Sequence, residues 1–196
     1  MADIKAIIKN NKDDIIKPVA VLLAICIIIP LALSVTNKIT AEKIARLETE
    51  NSNKNMALLV KAESYKRCET NGIVYYAAVN GGNTAAYIFT ESAKGYGGDV
   101  SVMTAVNTDG TVLGTAILDV SNETPGLGQN TAKEGFYSQF KGLKKGISLL
   151  KNGADGEKNE INAVTGATIT SAAVTRAVNA ALDDFDKVRE AESGEE

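Results

Sequence analysis

Hydrophobic and polar positions divide the chain into three regimes. Between Lys17 and Lys38 no charged residue occurs, and residues 18–37 are mostly aliphatic. Twenty residues at about 1.5 Å each reach roughly 30 Å, the depth of a hydrocarbon core, which predicts a membrane-spanning helix kinked at Pro30. Residues 37–66 place Ile39, Ile44, Leu47, Met56, Leu59 and Val60 at a broken three-and-four spacing amid Glu and Lys. That predicts a helical stalk, with Thr40 as its cap and a turn at Asn51-Ser52-Asn53. Beyond it the period shortens to two.

Ile73–Val79 and Ala85–Thr90 read as strands joined at Asn80-Gly81-Gly82-Asn83-Thr84. Asp99–Val106 and Thr111–Leu118 form a second pair, joined at Asn107-Thr108-Asp109-Gly110. Both connections are rich in the residues that tight hairpins require. Lys133 to Phe140 predicts a short helix with Phe136 and Phe140 on one face. After Thr170, Val174, Val178, Ala181, Leu182, Phe185 and Val188 recur at helical spacing, the signature of an amphipathic helix. The fold class expected is therefore α+β: antiparallel strands with helices packed on them, behind a single N-terminal transmembrane helix. The expected layout is a cytoplasmic tail (1–17), a transmembrane helix (18–37), a helical stalk (38–66), an extracytoplasmic domain (67–190) and an acidic tail (191–196).

Lys5, Lys9, Lys12 and Lys17 precede the apolar run, and Ala32-Leu33-Ser34 resembles a cleavage site, so a signal peptide cut near Ser34 is the rival reading. The length of the uncharged run favours a retained anchor. Lys38, Lys43 and Arg46 follow the span closely, so charge hardly orients it; the short N-terminal flank favours a cytoplasmic N-terminus.

Composition narrows the chemistry. The chain has no histidine, which excludes imidazole acid–base relays, Ser-His-Asp machinery and histidine-held zinc or haem. Its two cysteines, Cys26 and Cys68, are too few to hold an iron–sulfur cluster alone. They fall on opposite sides of the expected membrane interface, so no disulfide is expected, and Cys68 has no assigned role. Neither catalytic residues nor a metal site are expected. With a formal charge of −3, no tryptophan and 5% aromatic residues, nucleic-acid binding is disfavoured.

One segment stands out. Val164-Thr165-Gly166-Ala167-Thr168-Ile169-Thr170-Ser171 crowds hydroxyls around small residues just before the terminal amphipathic helix. Small residues let a phosphate approach the backbone, and a helix start offers unpaired N–H groups. On pattern alone, Thr170 or Ser171 as an ordinary N-cap after a small-residue loop is the favoured reading over an anion site.

Thr165-Gly166-Ala167-Thr168 followed by Ile169-Thr170-Ser171 resembles the S/T-G-A-T-x-T-S signature of the covalent-flavin domain. That domain occurs in the G subunit of the Rnf ion-translocating electron-transport complex and the C subunit of the sodium-pumping quinone reductase. Glu123-Thr124-Pro125-Gly126-Leu127-Gly128, Gly95-Tyr96-Gly97-Gly98 and Gln139-Phe140-Lys141-Gly142 resemble further elements of that family, in the family's order. The resemblance implies FMN as cofactor, joined through its phosphate to Thr168 by a dedicated flavin transferase. It implies that Thr165, Gly166, Ala167, Thr170 and Ser171 shape the phosphate pocket. Glu123, Thr124, Gly126, Leu127 and Gly128 would line the ring or ribityl chain.

The implied function is that of an electron-carrier subunit in a membrane-bound ion-translocating ferredoxin:NAD oxidoreductase, with no catalysis by the isolated chain. The implied partners are membrane subunits A, D and E, iron–sulfur and NADH-side subunits B and C, and membrane lipid, with the domain outside the cytoplasmic membrane. The alternative is a membrane-anchored sensor or binding module of the same fold without flavin. Asn162 keeps that alternative open, since the family often has aspartate there.

Overall fold

A computed structural model describes residues 12–155 and 158–194. Lys5 and Lys9 of the basic flank and Glu195 and Glu196 of the acidic tail lie outside the described residues. The chain divides into two compact units, Met1–Asn51 and Ser52–Glu196.

Helix α1 runs from Lys12 to Leu59, with Pro18 and Pro30 inside it. Its segment Ile16–Ala41 is long and apolar enough to cross a membrane, and its described aliphatic side chains are exposed. Thr40 is no cap: it lies inside α1, its hydroxyl turned back to the Thr36 carbonyl. The helix also passes through Asn51-Ser52-Asn53, where the sequence predicts a turn. That triplet holds neither Gly nor Pro, and its helix-propensity cost is only about a few tenths of a kcal/mol per residue. The packing of Met56 and Leu59 that follows carries the helix onward.

The second unit is a five-stranded antiparallel meander in the order β1-β2-β3-β4-β5, comprising Ser64–Thr70, Ile73–Asn80, Asn83–Lys94, Asp99–Asn107 and Val112–Asp119. The α+β expectation holds. Strand β1 replaces the last residues of the expected stalk, because the helix ends at Leu59 and residues 64–70 pair with β2. Its sequence, Ser-Tyr-Lys-Arg-Cys-Glu-Thr, lacks aliphatic alternation because β1 is an edge strand with much of its surface in water. The signal that marks it is Asn71-Gly72, whose positive φ values (52° and 79°) close the hairpin to β2.

Alternation sorts the sheet's two faces. Tyr75, Ala77, Tyr87, Phe89, Val100, Val102 and Val106 point to one side and bury the apolar stripe of α3 (Thr168–Gly194), which comprises Val174, Val178, Ala181, Leu182, Phe185 and Val188. Ala78, Ala86, Ile88, Met103 and Ala105 point to the other side, where Met56 from the end of α1 covers them. The expected helix at 133–140 is a single turn, α2 (Glu134–Tyr137), continued as a 3-10 turn that sets Phe136 edge-on to Phe140. Short parallel strands β6 (Ser148–Leu150) and β7 (Glu160–Asn162), absent from the sequence reading, lead the chain to α3.

Thr104 lies in the α3-facing layer of β4, and its Oγ1 is the buried side-chain oxygen without a hydrogen-bond partner among the described residues. Burying an unpaired hydroxyl costs about 1–3 kcal/mol, and valine has nearly the same shape. Thr104→Val is expected to raise stability by about 1 kcal/mol, read as a higher denaturation midpoint at unchanged slope.

Candidate functional site

Three loops meet beside the start of α3. The first, Gly95–Gly98, joins β3 to β4 and is closed by the Gly95 N–H donating to the Gly98 carbonyl at 2.7 Å. The second follows β5. Here Thr124-Pro125-Gly126-Leu127 forms a turn with the Leu127 N–H on the Thr124 carbonyl (3.1 Å) and Gly126 at φ 77°. Proline second and glycine third is the sequence this turn geometry calls for. A 3-10 turn, Gly128–Ala132, follows it. The third loop carries Val164–Ala167 out of β7, with Gly166 at φ 76°, and delivers the chain into α3 at Thr168.

Glu123 ties these loops together. It is 2% exposed, accepts the Thr170 hydroxyl at 2.6 Å and accepts the Gly97 N–H at 3.0 Å. Glycine is needed on two sides of this carboxylate. A Cβ on Gly128 would stand 2.7 Å from Glu123 Oε2 and 2.8 Å from Thr170 Oγ1, and one on Gly95 would overlap Glu123 Oε1. Burial pushes the Glu123 carboxyl up. The Thr170 hydroxyl and the N–H groups of Gly97, Tyr96 and Gly98 outweigh that and hold it below its ordinary value of 4.5.

A lowered folded value means that Glu123 contributes stability above the unfolded value and loses it as pH falls through the folded one. The domain's melting temperature should therefore fall below about pH 4.5, and Glu123→Gln should flatten that acid limb.

Between the loops opens a cavity of about 600 Å³ lined by Tyr96, Glu123, Thr124, Leu127, Gly128, Gly166, Ala167, Thr168, Ile169 and Thr170. It thus brings together eight of the eleven residues singled out by sequence. The other three stand elsewhere. Gly126 forms the turn behind Leu127, Thr165 is exposed on the loop, and Ser171 is buried beneath it. Ser171 Oγ accepts the Val164 N–H (3.0 Å) and donates to the Ala167 carbonyl (2.9 Å), which fixes the loop's exit. Neither Thr170 nor Ser171 is the N-cap, since α3 already includes both.

Two lining residues escaped the sequence reading. Tyr96 and Ile169 are 72% and 54% exposed, and with Leu127 (43%) they add large apolar side chains to the cavity's lining. Each sat inside a motif the sequence had marked, and an apolar residue predicted to face water was the available signal.

Thr168 differs from its neighbours. Thr170 and Ser171 spend their hydroxyls on internal bonds, whereas Thr168 is exposed, lines the cavity and makes no side-chain hydrogen bond among the described residues. It sits in the first turn of α3, where N–H groups lack intrahelical partners. Asn162 lies away from this cavity. Its Oδ1 accepts the Ala154 N–H (3.0 Å), a bond that an aspartate oxygen would make equally well, and its backbone pairs with Gln139 whatever the side chain.

The cavity fits an FMN-sized group: its volume lies within the roughly 300–1,000 Å³ typical of cofactor sites. It offers small residues and a helix start for a phosphate, with apolar side chains for a ring. Among the described residues no group of three or more acidic or cysteine side chains stands where it would hold a metal.

Residues 95–183 match the family described as FMN-binding domain. The chain is 38% identical over 159 residues to the G subunit of the proton-translocating ferredoxin:NAD(+) oxidoreductase complex of Clostridium ljungdahlii, covering 81% of this chain and 84% of that protein. It is 31% identical to the G subunit of the Na(+)-translocating ferredoxin:NAD(+) oxidoreductase complex of Acetobacterium woodii, covering 84% of this chain and 88% of that protein. Among solved structures it resembles the C subunit of the Na(+)-translocating NADH-quinone reductase of Parabacteroides distasonis (TM-score 0.50, 27% identity, 58% of this chain and 61% of that one). Shewanella oneidensis NqrC shares the fold at a TM-score of 0.54 and 20% identity, over 67% of this chain and 71% of that one.

Proposed function

The chain belongs to the family of G subunits of ion-translocating ferredoxin:NAD(+) oxidoreductase complexes, and from that premise we propose that it carries electrons through FMN esterified to Thr168. The observation that carries this reading is hydroxyl selection. Of the hydroxyls in the first turn of α3, that of Thr168 alone faces the cavity without a hydrogen-bond partner among the described residues. Joining the flavin's phosphorus to Thr168 Oγ1 releases one water if written from free FMN. The remaining phosphate charge then meets the positive end of the helix dipole.

In this reading Gly166 and Ala167 leave room for the phosphate oxygens. Tyr96, Leu127 and Ile169 give the ring an apolar surface. Bound flavin supplies reversible one- and two-electron chemistry; the protein supplies attachment, orientation and electrostatics. Residues 18–37 anchor the chain in the cytoplasmic membrane, and the flavin domain, whose sheet opens with β1 at Ser64, lies on the outer side. Its partners are the membrane and iron–sulfur subunits of the complex, and a flavin transferase matures it.

Intact mass of the full chain, made together with its flavin transferase, tests the attachment. The expected mass exceeds that of the unmodified polypeptide by one FMN minus one water, and flavin fluorescence travels with the band on a denaturing gel. Unmodified mass and a dark band would leave a tethered module of the same fold and defeat the proposal.

A further inference from the structure

The cavity carries a formal negative charge and, among the described residues lining it, no positive one. Glu123 takes part in no ion pair among the described residues; its partners are a hydroxyl and backbone N–H groups. At 2% exposure it has almost no water to screen it. A carboxylate so placed is costly unless its hydrogen bonds hold it ionised, and these do. The hydrogen bonds alone would not demand a charge here, since a glutamine oxygen would still accept the Gly97 N–H and its NH2 would donate to Thr170 Oγ1 in place of the bond Glu123 accepts. The charge itself therefore calls for a use.

We propose that Glu123 sets the reduction potential of the cofactor, acting as a fixed negative charge that disfavours electron uptake by the flavin. The inference rests on the attachment reading above. A cavity of about 600 Å³ is roughly 10 Å across, about one screening length in physiological salt, so a ring within it feels this carboxylate. Two-electron reduction of the ring with one proton leaves an anion, and with two protons a neutral ring. A nearby carboxylate raises the energy of the anion and leaves the neutral forms less affected. The result is a lower midpoint potential than that of free FMN in the same buffer. Glu123 is thus a positioning residue towards Thr170 and an electrostatic one towards the flavin.

Redox titration of the flavin-loaded full chain, with dithionite as reductant and free FMN alongside, tests this. The wild-type midpoint is expected below that of free FMN. Glu123→Gln, which keeps the shape and loses the charge, is expected to shift it to more positive potential. Thr170→Val, which breaks the hydrogen bond and keeps the charge, is expected to shift it less. Sulfite adds its lone pair to the oxidised ring and makes it anionic, so half-bleaching of the wild type should need several-fold more sulfite than free FMN. That measurement needs no variant and decides the matter should Glu123→Gln fail to accumulate.

A wild-type midpoint at or above that of free FMN overturns the proposal. So does a loaded Glu123→Gln chain with the wild-type potential, or equal shifts in the Gln and Val variants. Flavin loading is read first on the gel: an unloaded wild type sinks the attachment reading itself, whereas loaded chains with flat potentials sink only the role of Glu123.

Discussion

Thr168→Ala is expected to abolish covalent flavin, leaving a dark band and an unmodified mass, while the domain keeps its fold. The side chain is exposed and makes no hydrogen bond among the described residues, so its loss opens no cavity and strands no buried partner. Alanine is also the best helix former, and the first turn of α3 loses nothing by it. The neighbouring hydroxyls behave oppositely. Thr170→Ala should keep the flavin bond and lose about 1–3 kcal/mol, because Glu123 would lose its hydroxyl donor in a buried site. Ser171→Ala strands the Val164 N–H and should loosen the loop before Thr168, lowering flavin loading without eliminating it. Mass spectrometry of the three variants separates attachment from support. Flavin retained in Thr168→Ala and lost in Thr170→Ala would move the ester to Thr170.

Gly97→Ala is expected to be the most destabilising single substitution around the cavity. A Cβ at this position would overlap the Asn122 backbone carbonyl, and backbone cannot rotate aside as a flexible side chain can. To relieve the clash, the loop of residues 95–98 must withdraw from the loop of residues 121–124. That motion pulls the Gly97 N–H off Glu123 and leaves a buried carboxylate under-supplied with donors. Overpacking together with a broken charged hydrogen bond costs about 3 kcal/mol or more, which lowers the melting temperature by roughly 10 °C in a domain of this size. Flavin loading should fall with it, since Glu123 holds the side of the cavity facing Thr170. Gly126→Ala is the informative contrast. It meets no atom within 4 Å and suffers only its φ of 77°, so it should cost about 1 kcal/mol.

These loops also show where sequence reasoning reaches and where it stops. The strands from Ile73 onward and the terminal helix were legible because each buries one face, and burial imprints a period of two or 3.6 on the residues. Strand β1 was not legible, because an edge strand with wet sides carries no such imprint; only Asn71-Gly72 betrays it. The turn expected at Asn51-Ser52-Asn53 failed for a related reason. Polar residues permit a turn, but the packing of Met56 and Leu59 on the sheet decides that the helix continues. Strands β6 and β7 have three residues each, too short for any period to show.

The candidate site divides the same way. Its small and hydroxyl residues were visible as motifs, because close approach to a phosphate demands those residue types wherever the chain folds. Sequence alone thus determined the apolar span, the α+β architecture and the segment around Thr168. Only the tertiary structure decided which hydroxyl has no partner among the described residues, that Glu123 is a buried hub rather than one more lining residue, and that Tyr96 and Ile169 join the cavity. The reason is physical. A residue's type sets what it can donate or accept, but which donors remain unspent depends on partners brought from residues 47 positions away, as Glu123 is brought to Thr170.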